Sequence, residues 1–92
     1  MTIEFADNAE EHRFEIWRDD VRAGFVTYRL HEPVITFVHT EVDPAYSGEG
    51  LGAKLATWAL DSARERGLRV KPLCPFIASY IKRNPEYADL VA

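Results

Sequence analysis

Apolar and polar positions alternate through the first half of the chain, then recur at steps of three and four in the second. In "HRFEIWRDD" Phe14 and Ile16 alternate with Arg13 and Glu15, the two-residue period of a half-buried strand, and Trp17 breaks that period at its end. Asp19 and Asp20 then supply turn chemistry. "AGFVTYRLHE" continues with Phe25, Val26, Tyr28 and Leu30, and "VITFVHTEV" is the strongest β segment of the chain. With "TIEFA" at the start, four strands are predicted in succession. Spacers of two to four residues suit hairpins, hence an antiparallel meander.

The period changes after Gly50. Leu51, Leu55, Trp58, Ala59, Ser62 and Ala63 fall on one helical face, Lys54, Asp61, Arg64 and Glu65 face elsewhere, and Gly67 closes the helix. "LRVKP" is a short strand stopped by Pro72. "CPFIASYIKRN" is a second helix with Pro75 tolerated in its first turn, ended by Asn84-Pro85. The last strand follows a helical crossover and is therefore expected parallel to the fourth. The predicted order is β-β-β-β-α-β-α. It describes an α/β (α+β) domain, a mixed and mostly antiparallel sheet with helices packed on it. Trp17 and Trp58 are expected in its core.

At 92 residues, with 47% apolar and 28% charged content, residues 1–92 form one domain with a single core. The net charge of -4 argues against a nucleic-acid surface, which needs a basic excess. The single cysteine, Cys74, excludes an internal disulfide and a cysteine-based zinc site, and the three histidines lack metal-ligand spacing, so no metal is expected. There is no signal-peptide pattern and no apolar run long enough to span a bilayer. A cytoplasmic, membrane-free protein is the expectation. An exposed N-terminal edge strand leaves a monomer or a weak homodimer open.

The junction "TEVDPAYSGEGLGAKL" raises the question of chemistry. Unpaired amides at a helix start, together with the helix dipole, suit an anion there, and Gly48, Gly50 and Gly52 let a phosphate approach the backbone. The spacing nevertheless fits neither G-x-G-x-x-G nor a P-loop, so nucleoside triphosphates are disfavoured. Glycines that only turn the chain and admit close packing explain the same letters.

The wider pattern decides between these readings. A strand, then "VDPAYSGEGLG", then a long amphipathic helix resembles the acyl-CoA-binding segment of the GCN5-related N-acetyltransferases. Ser47 stands where that family has glutamine or arginine, with Gly50 and Gly52 at its glycine positions. The blocks "AGFVTYRL", "FVHTEVDPAYSGEGLGAKL" and "VKPLCPFIASYIKRNPEYADLV" resemble, in order, the small single-domain members of the superfamily. Such members lack the helices that wall the acceptor site in larger relatives.

The resemblance implies a minimal acetyl-CoA-binding domain that transfers an acetyl group to an unidentified amine. It implies that Thr40, Val42 and Asp43 pair with the pantetheine arm, and that Ser47, Gly48, Glu49, Gly50, Leu51, Gly52 and Ala53 hold the pyrophosphate. It makes His39 and Glu41, two apart on one strand face, candidate bases. Cys74, at the start of the last helix, becomes an acid toward the CoA sulfur, an acyl-accepting nucleophile, or a small buried residue. Tyr80, followed by Lys82, matches a tyrosine whose hydroxyl approaches the thioester sulfur, and Lys82 and Arg83 are candidates for the 3′-phosphate. Two other readings stay open at this stage: a CoA-binding sensor or adaptor without turnover, and an interaction domain with structural glycines.

Overall fold

A computed structural model of the chain describes residues 2–92. Five strands form one sheet in the order β1-β2-β3-β4-β5: β1 (Ile3–Asn8), β2 (Arg13–Arg18), β3 (Val21–His31), β4 (Val34–Val42) and β5 (Arg69–Pro72). The first four pair antiparallel and β5 pairs parallel to β4, because the crossover from β4 to β5 runs through helix α1 (Leu51–Glu65). Helix α2 (Pro75–Arg83) and a 3-10 segment (Pro85–Leu90) complete the chain. The mixed, mostly antiparallel architecture is the one the alternation predicts.

Both helices cover the same sheet face. Phe14, Ile16, Val26, Ile35, Phe37 and Val70 rise from the strands, and Leu51, Leu55, Leu60 and Ile77 descend from the helices, all essentially without solvent exposure. Burying each such side chain contributes about 1.5–3 kcal/mol, so this layer is the main cohesive element. Trp58 closes it near β1, stacked on Phe5 at 5.4 Å and edge-on to Phe14 at 5.1 Å. Helix α1 ends where the sequence says it should. Gly67 adopts φ 69° while its N–H and that of Leu68 donate to the carbonyls of Arg64 and Ala63.

Three polar links tie the periphery to this core. Tyr28 donates to Asp7 at 2.6 Å, Tyr87 donates to Asp61 at 2.8 Å, and Arg64 forks onto Asp89. Burial and the neighbouring carboxylate push both the Tyr28 and the Tyr87 hydroxyl up to about 12. The C-terminus adds a bridge between Val91 and Val70, so the outer edge of β5 is not left bare.

The uncovered face of the sheet departs from the expected pattern. Glu15 points away from the helices, as its alternation with Phe14 and Ile16 requires, yet it is only 4% exposed. Its carboxylate accepts from Asn8, Arg13 and Trp17, and Arg22 stands 3.7 Å away. Burial alone would raise its pKa; these donors outweigh burial and hold it below the usual value. Trp17 was expected in the core. It lies half-buried on this outer face instead, its indole N–H spent on Glu15.

Candidate functional site

The site is built by two interruptions in β4. The first is a bulge: Tyr28 pairs with Phe37 but Thr27 pairs with His39, which leaves Val38 as an extra residue. Without it His39 and Glu41 would share the inward parity of Ile35 and Phe37. With it Thr40 and Val42 turn toward the helices, and His39 and Glu41 emerge on the open face.

The second interruption is a split between β4 and β5. Their ladder runs from Val34↔Arg69 to Phe37↔Pro72, a last bond joins the Cys74 N–H to the Phe37 carbonyl at 2.9 Å, and the chain then turns away into α2. From Val38 onward β4 has no paired strand on that side among the described residues. The Asp43 N–H donates to the Ala23 carbonyl at 2.7 Å, so alternation across the antiparallel pair directs the backbone groups of Thr40 and Val42 away from β3 and into the gap. The gap thus offers a strand edge.

That edge leads to the glycine loop. A 3-10 turn, Pro44–Tyr46, is capped by the Asp43 carboxylate, which accepts from the Ala45 amide at 2.9 Å. Gly48 and Gly50 follow with φ 86° and 74°, left-handed values that side chains rarely tolerate, and the first intrahelical bond of α1 is Lys54 N–H to the Gly50 carbonyl. Among the described residues the amides of Gly48, Gly50, Leu51, Gly52 and Ala53 have no acceptor within the chain; the Glu49 amide is taken by the Tyr46 carbonyl. A cavity of about 520 Å³ runs along this loop between Val42, Tyr46 and Phe76, with Arg83 at its rim.

The predicted residues divide by role. Thr40, Val42, Ser47, Gly48, Gly50 and Ala53 line the gap or the cavity. Leu51 offers its amide there while its side chain is buried in the core. Gly52 has a packing reason as well, since a Cβ would come within 2.9 Å of Phe76 Cζ. Asp43 is spent inside the fold through both its side chain and its amide. The Glu49 carboxylate is drawn to Arg18 at 2.9 Å, and the Arg18 guanidinium lies 5.1 Å over the Tyr46 ring.

The four reactive candidates fall on two sides of β4. On the open face His39 Nε2 stands 3.5 Å from Glu41 Oε2, with both side chains about 60% exposed (60% and 61%). On the helix side Cys74, 2% exposed at the start of α2, has its Sγ 3.1 Å from Thr40 Oγ1. Tyr80 pairs closely with Thr57 Oγ1. Thr57 gives its own proton to the Ala53 carbonyl at 2.9 Å, so the proton shared in that pair comes from Tyr80.

Thr57, Tyr46 and Phe76 escaped the sequence reading. Thr57 sits four residues after Ala53, one helical turn on and facing α2, a relation visible only once α2 is placed. Among the described residues no group of three or more His, Cys, Asp and Glu side chains could hold a metal ion, and no helix is long and apolar enough to cross a membrane.

Relatives named Protein NATD1 from Gallus gallus and Homo sapiens are each 40% identical over 64 residues, covering 70% of this chain and 58% and 57% of theirs. The chain therefore spans less than three fifths of the length of these curated relatives. A GCN5-like protein from Staphylococcus aureus, solved in solution by NMR, superposes with a TM-score of 0.71 at 26% identity, covering 99% of this chain and 87% of that one. The crystal structure of the ribosomal-protein-S18-alanine N-acetyltransferase of Escherichia coli gives 0.60 at 25% identity, over 63% of this chain and 38% of that one. Residues 13–90 match the family model described as GCN5-related N-acetyl-transferase, and so the chain belongs to the GCN5-related N-acetyltransferase family.

Proposed function

We propose that the chain is an acetyl-CoA-dependent N-acetyltransferase with an open acceptor side. The observation that carries this reading is the free edge of β4 at Thr40 and Val42, continuous with the unpartnered amides of Gly48 and Gly50 to Ala53. A pantetheine arm is a chain of amides and fits such an edge as an added strand. A pyrophosphate fits the amides, the helix dipole and Arg83, and the left-handed glycines at 48 and 50 leave open space where side chains would intrude. Drawing the Glu49 carboxylate to Arg18 lessens its repulsion of that anion.

Acetyl-CoA supplies the acetyl thioester and a thiolate leaving group; the protein handles the protons. His39 and Glu41 stand on the open face as a hydrogen-bond-range pair, and either can take the proton of the incoming ammonium, directly or through water. Tyr80 and Cys74 are the protic groups on the opposite side of β4, where the departing sulfur needs a proton. The Tyr80 proton rests on Thr57 Oγ1, so its delivery to the sulfur requires the hydroxyl to turn from Thr57, while Cys74 is held by Thr40.

A second reading, CoA binding without turnover, is favoured by one observation. His39 and Glu41 are mostly exposed, and water in such a site weakens their electrostatic effect. Incubation with acetyl-CoA and a panel of polyamines, lysine peptides and small amines separates the two. The transferase reading expects amine-dependent CoA release that falls in Glu41→Gln and Cys74→Ala. Acetyl-CoA binding with no release across the panel would leave the sensor reading. Absence of any acetyl-CoA-induced shift in melting temperature or in the amide resonances of 48–53 would sink both.

A further inference from the structure

The strand register assembles a basic patch on the uncovered sheet face, beside the His39–Glu41 pair. Arg29, Thr36 and Lys71 form one cross-strand row over β3, β4 and β5, and His31, Val34 and Arg69 form the next. All six face away from the helices, since their neighbours Tyr28, Ile35, Phe37 and Val70 are core. Arg29, His31, Arg69 and Lys71 are exposed. Among the described residues the side chains of Arg29 and Lys71 have no ion-pair or hydrogen-bond partner, while the Arg69 side chain donates to the Val91 carbonyl at 2.8 Å. Neither row contains an acid. The feature runs against the chain as a whole, whose net charge is -4.

We propose that this face docks an acidic peptide segment that carries the acceptor amine, a proposal that rests on the transferase reading for the fate of the amine but not for the docking. Neighbouring strands lie about 4.8 Å apart, so Arg29 and Lys71 stand roughly 10 Å from one another across β4. The cations are spread over three strands; a cavity of about 640 Å³ takes in Arg29 and His31 beside Ala9, His12, Tyr28 and Leu30, but neither Arg69 nor Lys71. A single phosphate or carboxylate can engage two of these long side chains where they converge, whereas an extended segment with acids at intervals can engage both rows. His39 is the next outward-facing residue of β4 beyond the Val38 bulge, so an amine on that segment passes the candidate base while its acids lie on Arg29 and Lys71. Basic acceptors, polyamines included, are repelled by the same arrangement.

The test uses three fluorescent peptides of equal length, each with one lysine, flanked by glutamates, alanines or arginines. Anisotropy is read at low and at physiological salt, with the native chain and with the double variants Arg29→Glu/Lys71→Glu and Arg29→Gln/Lys71→Gln. The glutamate-flanked peptide is expected to bind at least tenfold tighter than the alanine-flanked one at low salt, with the gap narrowing as salt rises. The preference is expected to vanish in the Gln variant and invert in the Glu variant, while melting temperature and the acetyl-CoA-induced shift stay unchanged. Equal binding of the three peptides, tighter binding of the arginine-flanked peptide or of a single-stranded oligonucleotide of matched charge, or a preference that survives both variants overturns the proposal. CoA release is assayed on the same peptides and on the amine panel: charge-dependent binding with no release from any of them upholds the docking face and overturns the transferase reading instead.

Discussion

Replacing Gly24 by alanine tests whether the geometry of the β4 edge depends on close strand approach. Gly24 pairs with Val42, and a Cβ placed on it would lie 2.7 Å from the Glu41 carbonyl oxygen and 3.3 Å from Val42 Cα. Ordinary contact begins near 3.4 Å, so the nearest overlap is 0.7 Å (3.4 minus 2.7), and both atoms are backbone. No rotamer change relieves it; β3 and β4 must separate. Overpacking of this kind costs about 1–3 kcal/mol, and loosening the adjacent Asp43–Ala23 hydrogen bond adds about 1 kcal/mol, against a gain of about 0.5 kcal/mol from replacing a strand glycine. The balance, roughly 1.5–3.5 kcal/mol, corresponds to a fall in melting temperature of roughly 6–28 °C for a domain of this size. The displacement is delivered to Glu41 and Val42, so the stabilisation by a fixed acetyl-CoA concentration should also shrink. Thermal unfolding followed by circular dichroism, with and without acetyl-CoA, reads both effects. A Gly24→Ala chain that melts within about 2 °C of the native one, with an undiminished acetyl-CoA shift, would refute the account of this edge.

Two further outcomes follow from the hydroxyl pairs. Tyr80→Phe should lower the acetylation rate constant about a hundredfold, the scale of a positioned proton donor, with little change in melting temperature or acetyl-CoA affinity; Thr57→Val should lower it less, because the tyrosine keeps its proton and loses only the partner that holds its oxygen. An unchanged rate in Tyr80→Phe would show that the proton comes from elsewhere. Tyr28 and Tyr87 have hydroxyls raised from 10 to about 12, so the stability they contribute is complete below pH 10 and is lost as pH rises toward 12. Ultraviolet titration of phenolate in Tyr28→Phe and Tyr87→Phe should each lack one late-titrating group, and phenolate formed by both residues near pH 10 in the folded chain would contradict the burial described.

The sheet was legible because alternation is a direct record of which side of a strand is buried, and the parallel placement of β5 followed from the length of the crossover. That His39 and Glu41 share one strand face was legible too, from their spacing of two residues. Which face it is was not. Ile35, Phe37, His39 and Glu41 share one parity in the sequence, and only the register shift at Val38 reconciles two core residues with two exposed ones. Glu15 shows a different limit. Its outward direction was readable, but its burial comes from Asn8, Arg13, Trp17 and Arg22, neighbours supplied by three strands. The glycine loop was readable as a place and not as an inventory: nothing in the letters says that the Glu49 amide closes a turn, that Asp43 caps Ala45, or that Gly52 makes room for Phe76.

The cluster around Glu15 bears on how the sheet face opposite the helices is covered. Arg13 and Arg22 each lay a guanidinium 5.4 Å from the centre of the Phe25 ring while turning toward the same carboxylate, and Trp17 leans in from the end of its strand. The long stems shade apolar surface that a helix would otherwise have to cover, and their charged ends keep the shade wettable. The sheet in effect wears a thatch made from its own side chains. Such a covering occupies almost no height, so the approach to His39 from this face is a low threshold rather than a wall; on the proposed transferase reading, large acceptors would be admitted on the same terms as small ones.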